Sequence, residues 1–456
     1  MQEFLSIERS KPTKRAPSER KGDFGEIYTP LSFSAASEQA SRCAQCGNPF
    51  CHHACPLHNF IPFWLKRAAN NDLSGAWEIL AQTNPFPEIT GRVCPQERLC
   101  EGACTLGTSF GAVNIGALEV VVSENALEAG LNPLAPFKFE SSDTKNSKKV
   151  AIIGSGPAGL SAATFLLRGG VKPVVFEAAP RAGGLLAYGI PGFKVQKKVV
   201  ERRVKMLEDA GCEFRLGQKI DEAEFAKISG SFDAVILATG AREPRGSGLS
   251  KEDAKGVYSA LDFLTAAQAS LYHESENAPD LRGKKVVVVG GGDTAMDCLR
   301  VALRLGAREA VCAYRRAQSD MGGSRKEYIN AAEEGAEFRF NLAPTAIVTN
   351  EAGAVVALEV AKTIIKDGRV ELLKGTESQI QADVIIFALG FGVKKEGFFS
   401  ANGIEFSRTV SVSEEFRTSK AGIYACGDCA SGSALVVTAA ASGKGAALSV
   451  LRDLGL

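Results

Sequence analysis

Seven of the chain's twelve cysteines fall between Cys43 and Cys104. Cys43, Cys46, Cys51 and Cys55 form the run C-x2-C-x4-C-x3-C-P, and Cys94, Cys100 and Cys104 follow as C-x5-C-x3-C. Thiols at such spacings hold zinc, hold iron–sulfur clusters or pair as disulfides. Structural zinc takes closed four-ligand sites, commonly from two C-x2-C pairs. This stretch has one such pair, Cys43 and Cys46, and seven thiols do not divide into two all-cysteine zinc sites. His52 or His53 could supply a missing ligand, so the count alone leaves zinc open.

Two further stretches have the chemistry of dinucleotide binding. "KVAIIGSGPAGLSAATFLLRGGVKPVVFE" is a β-rich run, a glycine turn, a helical stretch and a second strand ending in an acid. Gly154 serves the tight turn, Gly156 lets backbone approach a pyrophosphate, and Gly159 lets helix pack on strand. Ser155, Pro157 and Ala158 fill the turn, whose helix N-terminus offers free N–H groups to phosphate. Glu177 can accept both ribose hydroxyls. "KKVVVVGGGDTAMDCLRVALRLGAREAVCAYRR" repeats the pattern, with Gly290, Gly291, Gly292, Asp293 and Thr294 at the turn and Ala295 at the third glycine position. Aligning Gly154 with Gly290 puts Ala313 in the place of Glu177, with Arg315 and Arg316 just beyond. Guanidinium suits a 2′-phosphate, through bidentate charge-assisted hydrogen bonds. The second unit is therefore expected to take NADPH rather than NADH.

These turns need strands and helices around them. "FDAVILATGA" and "ADVIIFALGFG" read as late strands of the two units, and "AGIYACGDCASG" places Gly427 and Asp428 after another strand. There Asp428 could bind a flavin ribityl chain. A helix N-terminus near Val437 and Thr438 could face the pyrimidine edge of the ring. Cys426 and Cys429 flank the Gly-Asp turn and read as packing residues, with a redox dithiol as the alternative. Cys212, Cys298 and Cys312 read as small core hydrophobes. At roughly 150 residues per domain, 456 residues suggest about three domains. A hydrophobic content of 45% supports a large core, and a net charge of +1 gives no case for nucleic acid or an anionic membrane. The charged N-terminus has no apolar signal core, and no apolar run has the length of a membrane span. We expect a cytoplasmic protein, where thiols stay reduced. The polar stretch Glu140 to Lys149 reads as a linker after a cysteine-bearing module. The basic arm with Lys11, Lys14, Arg15, Arg20 and Lys21 reads equally as a partner contact or a solvated tail.

Together, "GSGPAGL", Glu177, "RAGGLLAYGIPGFK", "ATG", "GGGDTAMDC", "YRR" and "CGDCASG" resemble the two-dinucleotide-binding flavoproteins. With "CAQCGNPFCHHACP", "TNPFPEITGRVCP" and "CEGACTLG", the chain is similar to the small-subunit family of bacterial NADPH-dependent glutamate synthases over nearly its whole length. The resemblance implies an α/β fold in which two Rossmann-like dinucleotide-binding domains, the NADPH domain inserted in a split FAD domain, follow a mainly α-helical iron–sulfur domain. It implies an arm over 1–35, a cluster domain over 36–139 and a linker over 140–148. The FAD domain would occupy 149–245 and 396–456, with the NADPH domain over 246–395. It adds Gly184, Leu185, Thr239 and Gly240 to the FAD contacts. There is no room for an FMN barrel of about 250 residues, so the resemblance implies a large FMN-containing (alpha) subunit as partner. That subunit would make L-glutamate from L-glutamine and 2-oxoglutarate. A stand-alone NADPH:acceptor oxidoreductase is the alternative. Two places depart from the family: "MGGS" (Met321 to Ser324) replaces M-P-G-S, and "SGK" (Ser442 to Lys444) replaces E-G-R.

The flavin context decides the cysteine question in favour of iron. A flavin reduced by hydride needs an outlet for electrons, and zinc has no redox chemistry. In ferredoxin-type runs the cysteine before proline serves the other cluster. Cys43, Cys46 and Cys51 are then expected to hold one 4Fe–4S cluster, with Cys104 crossing back to complete it. Cys55, Cys94 and Cys100 hold a second that is one ligand short. In the related module an amide or carboxylate in a segment like "NIGALE" fills the gap, which here implies Glu119. His52, His53 and His58 read as outer or surface groups.

Overall fold

The computed structural model describes residues 1–132, 134, 148–274 and 278–456. The linker expected over 140–148 lies outside them except for Lys148. Residues 33–128 are helical and contain no strand. Their helices are α1 (Phe33–Ser41), α2 (Ile61–Ala69), α3 (Leu73–Thr83), α4 (Pro87–Val93) and α5 (Ile115–Glu128). Three of these starts have a local cause. Ser32 accepts the Ala35 N–H, Asp72 accepts the Gly75 N–H, and Pro87 sits where no intrahelical N–H is needed. Trp64, Leu80, Leu118 and Val122 fill the core between them.

The next unit has β1 (Val150–Ile153), α6 (Pro157–Arg168), β2 (Val174–Phe176), α7 (Lys197–Asp209), β3 (Glu213–Arg215) and β4 (Ala234–Leu237). The chain then leaves for a second unit: β5 (Val257–Ser259), α8 (Ala260–Leu271), β6 (Lys285–Val289), α9 (Asp293–Arg304), β7 (Glu309–Tyr314), α10 (Arg325–Glu333) and β8 (Glu337–Phe340). An antiparallel meander follows, β9 (Leu342–Thr349), β10 (Val355–Lys366), β11 (Arg369–Leu372) and β12 (Ser378–Gln381), before β13 (Val384–Phe387). The chain returns to the first unit with β14 (Ile423–Ala425) and α11 (Val436–Asp453). The two main sheets are wholly parallel, in the orders β14-β4-β1-β2-β3 and β8-β7-β6-β13-β5. Burial on both faces explains why β1 and β6 read as unbroken aliphatic runs.

The arm is folded. Thr13–Lys14 pairs with Tyr28–Thr29, and Ile27 is buried in the core of the second unit. Arg20 is 1% exposed and binds Glu333 at 2.8 Å, and Lys14 binds the same carboxylate at 2.9 Å. Further toward the N-terminus, Arg9 binds Glu101 at 2.6 Å in the helical domain. Residues 1–30 thus strap the helical domain to the second dinucleotide unit. The first unit is held differently. Arg203 on α7 makes a two-pronged pair with Glu88 on α4 at 2.7 and 2.8 Å, with both side chains fully buried. Arg202 does the same with Glu124 nearer the surface.

Candidate redox site

The N-terminal cysteines come together in two groups. Cys43, Cys46, Cys51 and Cys104 line one small cavity with Phe50, Pro62 and Thr105. Arg42, fully buried, fixes the approach to Cys43 by donating to the carbonyls of Ile7, Phe110, Gly111 and Ala112. Burial, and then the neighbouring Cys43 and Cys104 sulfurs, push the Cys51 thiol up to about 12. Such thiols keep their protons until a positive centre displaces them, so binding of metal releases protons. None of the three histidines lines the cavity. His52 stacks on Phe60 with ring centroids 5.7 Å apart, and His53 Nε2 lies 2.8 Å from Asn48 Oδ1.

Cys55, Cys94 and Cys100 form the other group. Burial raises all three thiols, and Glu119 is near enough to raise each of them further. Glu119 itself is pushed up to about 8 by burial, against hydrogen bonds that its Oε1 accepts from Thr90 (3.0 Å) and Asn84 (2.5 Å). Its Oε2 makes no hydrogen bond among the described residues. Cys55 packs against both the helical core and the core of the first dinucleotide unit, so this group lies at the seam between them. Four sulfurs around one cavity, and three sulfurs beside one carboxylate, are donor sets that fit 4Fe–4S clusters. Among the described residues no three His, Cys, Asp or Glu side chains converge as a site for a single metal ion.

The first glycine turn is shaped for a dinucleotide. Gly154 has φ +106°, and a Cβ there would lie 2.3 Å from the Ala238 carbonyl oxygen. A Cβ on Gly156 would meet no atom within 4 Å, which leaves the helix N-terminus open. Glu177, 6% exposed, accepts the Ser155 N–H at 2.9 Å and its hydroxyl at 2.5 Å, and its other oxygen accepts the Ala179 N–H at 2.8 Å. It therefore clasps the turn. Ser155 Oγ also accepts the Gly183 N–H at 3.0 Å, and Gly184, at φ +53°, packs against Gly156 so closely that a Cβ would sit 2.7 Å from its Cα. Leu185 starts the short helix that follows. Thr239 and Gly240 follow β4, and Gly427 and Asp428 follow β14, its immediate neighbour. Asp428 Oδ1 is buried with no partner among the described residues. Burial raises that carboxyl to about 6. A buried acceptor without a donor fits a hydroxyl-bearing chain such as ribityl. Val437 and Thr438 lie in the first turn of α11. Cys426 and Cys429 are fully buried, and Cys429 Sγ donates to the Leu237 and Cys426 carbonyls, as packing residues do.

The second turn corrects the alignment by one residue. Gly154 N–H bonds Phe176 O, whereas Gly290 N–H bonds Ala313 O, so Tyr314 and not Ala313 stands in the row of Glu177. The Tyr314 ring covers Gly291, where a Cβ would meet it at 2.4 Å. Arg315 is exposed, and Arg316 Nε is buried without a partner among the described residues. A Cβ on Gly292 would meet nothing within 4 Å. The "MGGS" loop docks here: Gly323 N–H bonds Gly291 O at 2.8 Å, and Ser324 N–H bonds Asp293 Oδ1 at 2.7 Å. Ser442, at the other departure, accepts the Gly427 N–H at 2.9 Å. Sequence reasoning missed Arg42, Glu88 and Arg203, whose roles depend on partners remote in the chain and leave no local pattern.

Two parallel dinucleotide folds behind a cysteine-bearing helical domain define an iron–sulfur oxidoreductase of the pyridine-nucleotide class. Residues 20–131 match the family described as dihydropyrimidine dehydrogenase domain II, 4Fe-4S cluster, and residues 148–443 match the pyridine nucleotide-disulphide oxidoreductases. The fold is shared with Mycobacterium tuberculosis FprA, solved in complex with NADPH, at TM-score 0.58 and 20% identity over 68% of this chain and 85% of that one. Among curated relatives, the glutamate synthase [NADPH] small chain of Escherichia coli K12 is 42% identical over 99% of this chain and 98% of its own length. That of Azospirillum brasilense is 39% identical over 97% and 94%. The E. coli oxidoreductase AegA is 41% identical over 98% of this chain and 70% of its own. The chain belongs to the glutamate synthase small-chain family. It is an NADPH-linked oxidoreductase with an iron–sulfur domain, and flavin, nicotinamide dinucleotide and 4Fe–4S iron are the cofactors of its class. No helix among the described residues is long and apolar enough to cross a membrane.

Proposed function

We propose that this chain is the electron-input subunit of a glutamate synthase. It oxidises NADPH and sends the electrons through FAD and two 4Fe–4S clusters to a large FMN-containing subunit, which makes L-glutamate from L-glutamine and 2-oxoglutarate. When bound, the nicotinamide supplies a hydride, the flavin takes the pair and releases it singly, and the clusters carry one electron each. The chain's own residues bind and orient. Gly290–Thr294 cradle the NADPH pyrophosphate while Arg315 and Arg316 take the 2′-phosphate. Gly154–Gly159, Glu177, Gly184, Leu185, Thr239, Gly240, Asp428, Val437 and Thr438 hold FAD. Cys55, Cys94, Cys100 and Glu119 hold the cluster nearer the flavin unit, and Cys43, Cys46, Cys51 and Cys104 the one farther from it.

The observation that carries this reading is the sorting of the cysteines into two groups, one of them at the seam with the first dinucleotide unit. That order gives electrons a route outward from the flavin. The test uses the purified chain under anaerobic conditions. It should contain about eight iron and eight sulfide, as two clusters require, reduce artificial acceptors with NADPH, and form no glutamate until the large subunit is added. Glutamate formation by the chain alone, or zinc in place of iron, defeats the reading. A second reading, a stand-alone NADPH:acceptor oxidoreductase, stays in view because not every relative at this identity is named as a glutamate synthase chain. Co-purification with an FMN-bearing large subunit separates the two.

A further inference from the structure

The turn between Cys94 and Cys100 carries Arg98 on the short 3-10 helix Gln96–Arg98. Its guanidinium leaves the helical domain and lies 3.7 Å from Asp293 Oδ2, at the head of α9 in the second dinucleotide unit. The side chain is 46% exposed and makes no hydrogen bond among the described residues, so its five donors are unspent. The Asp293 carboxylate, meanwhile, is committed through Oδ1 to the Ser324 N–H. Beside this contact the backbone at Gly292 is open. A twelve-residue helix with free N–H groups, an open glycine and an uncommitted guanidinium together favour a doubly charged diphosphate.

We infer that Arg98 is a binding residue for the diphosphate of the nicotinamide dinucleotide, contributed by the iron–sulfur domain to the NADPH site. This rests on the reading of the second unit as the NADPH site. Arg98 stands beside Asp293 without hydrogen-bonding it. With a diphosphate bound at the α9 N-terminus it turns to the phosphate oxygens, a stronger and more specific partner than a single carboxylate at 3.7 Å. Arg98 is two residues from Cys100 and four from Cys94, so the nucleotide then touches the same turn that carries two proposed ligands of the nearer cluster. Occupancy of the NADPH site is felt directly by the electron acceptor beyond the flavin.

The test is calorimetric titration of the full-length holoprotein with two redox-silent probes, NADP⁺ and 2′-AMP, the second lacking the diphosphate. Arg98→Ala should weaken NADP⁺ about tenfold, as loss of one charge-assisted contact implies, and leave 2′-AMP unchanged. Arg98→Lys should recover part of the loss. In the wild type, NADP⁺ should alter the paramagnetic resonance spectrum of the reduced cluster at the seam, and this response should vanish in Arg98→Ala. Unchanged NADP⁺ affinity in Arg98→Ala overturns the inference. So does equal weakening of both probes, which marks a distorted domain rather than a lost phosphate contact. The Arg315→Ala, Arg316→Ala double variant guards the premise: it should weaken both probes. If it weakens neither, the NADPH reading of the second unit fails and the role of Arg98 falls with it.

Discussion

The two dinucleotide units repeat one plan with two endings. Both have a buried aliphatic first strand, a glycine turn with a helix behind it, and a second strand in the same register. They diverge at the residue just beyond the second strand's last pair with the first strand. In the first unit Glu177 turns back to clasp Ser155 and Ala179. In the second Tyr314 covers Gly291 and two arginines follow. On the proposed reading, a single row of the sheet edge separates the FAD unit from the NADPH unit. The units also differ in attachment. The first is joined to the helical domain by the buried Glu88–Arg203 pair, the second by a strap whose ion pairs run from the buried Arg20 to the partly exposed Lys14.

That contrast can be broken from either side. Glu88→Gln should be the most damaging change, because it leaves Arg203 buried and uncompensated. A loss of about 3–5 kcal/mol should appear in chemical denaturation, and retention of wild-type stability would mean the pair is dispensable. Next comes Arg315→Ala with Arg316→Ala. With each contact worth roughly 1.5–3 kcal/mol, the preference for NADPH over NADH should drop by about a hundredfold or more in kcat/KM, with NADH kinetics little altered. A surviving preference would move the 2′-phosphate elsewhere.

Asp428 gives a pH test confined to the first unit. Its carboxyl titrates at about 6 in the fold, against 3.8 ordinarily, so the fold binds this proton more tightly than the unfolded chain does. Stability of the flavin-free chain should therefore fall as pH rises between these values. Asp428→Asn lacks that loss and should be more stable than the wild type at pH 7 by roughly 3 kcal/mol, the two converging below pH 4. Excess FAD should reverse the ranking if Asp428 accepts a flavin hydroxyl. The smallest effect is expected from Lys14→Ala on the strap. Its pair with Glu333 is partly exposed, so melting should register a loss of less than about 1 kcal/mol.

Much of this plan was legible in the sequence because it is local. A strand, a glycine turn and a helix occupy consecutive residues, and "GSGPAG" and "GGGDTA" announce them without reference to the rest of the chain. The one-residue error at Ala313 arose because spacing counts residues, whereas the sheet counts hydrogen-bonded rows. The meander β9–β12 was passed over: its strands pair only with near neighbours and add no chemical motif. Contacts such as Arg98–Asp293 and Arg20–Glu333 join residues about 200 and 300 positions apart. They depend on how whole domains face each other, which periodicity does not encode. The arm was ambiguous for the same reason, since its lysines and arginines look alike in water or against carboxylates.

The strap has a consequence for how the molecule is made. Ile27 and Arg20 leave the ribosome early, yet the helix carrying Glu333 and the strands packing on Ile27 emerge some three hundred residues later. At about 5–20 residues per second, the head of the nascent chain must wait roughly 15–60 s for its seat to exist. Throughout that interval an isoleucine and an arginine destined for burial stand in water.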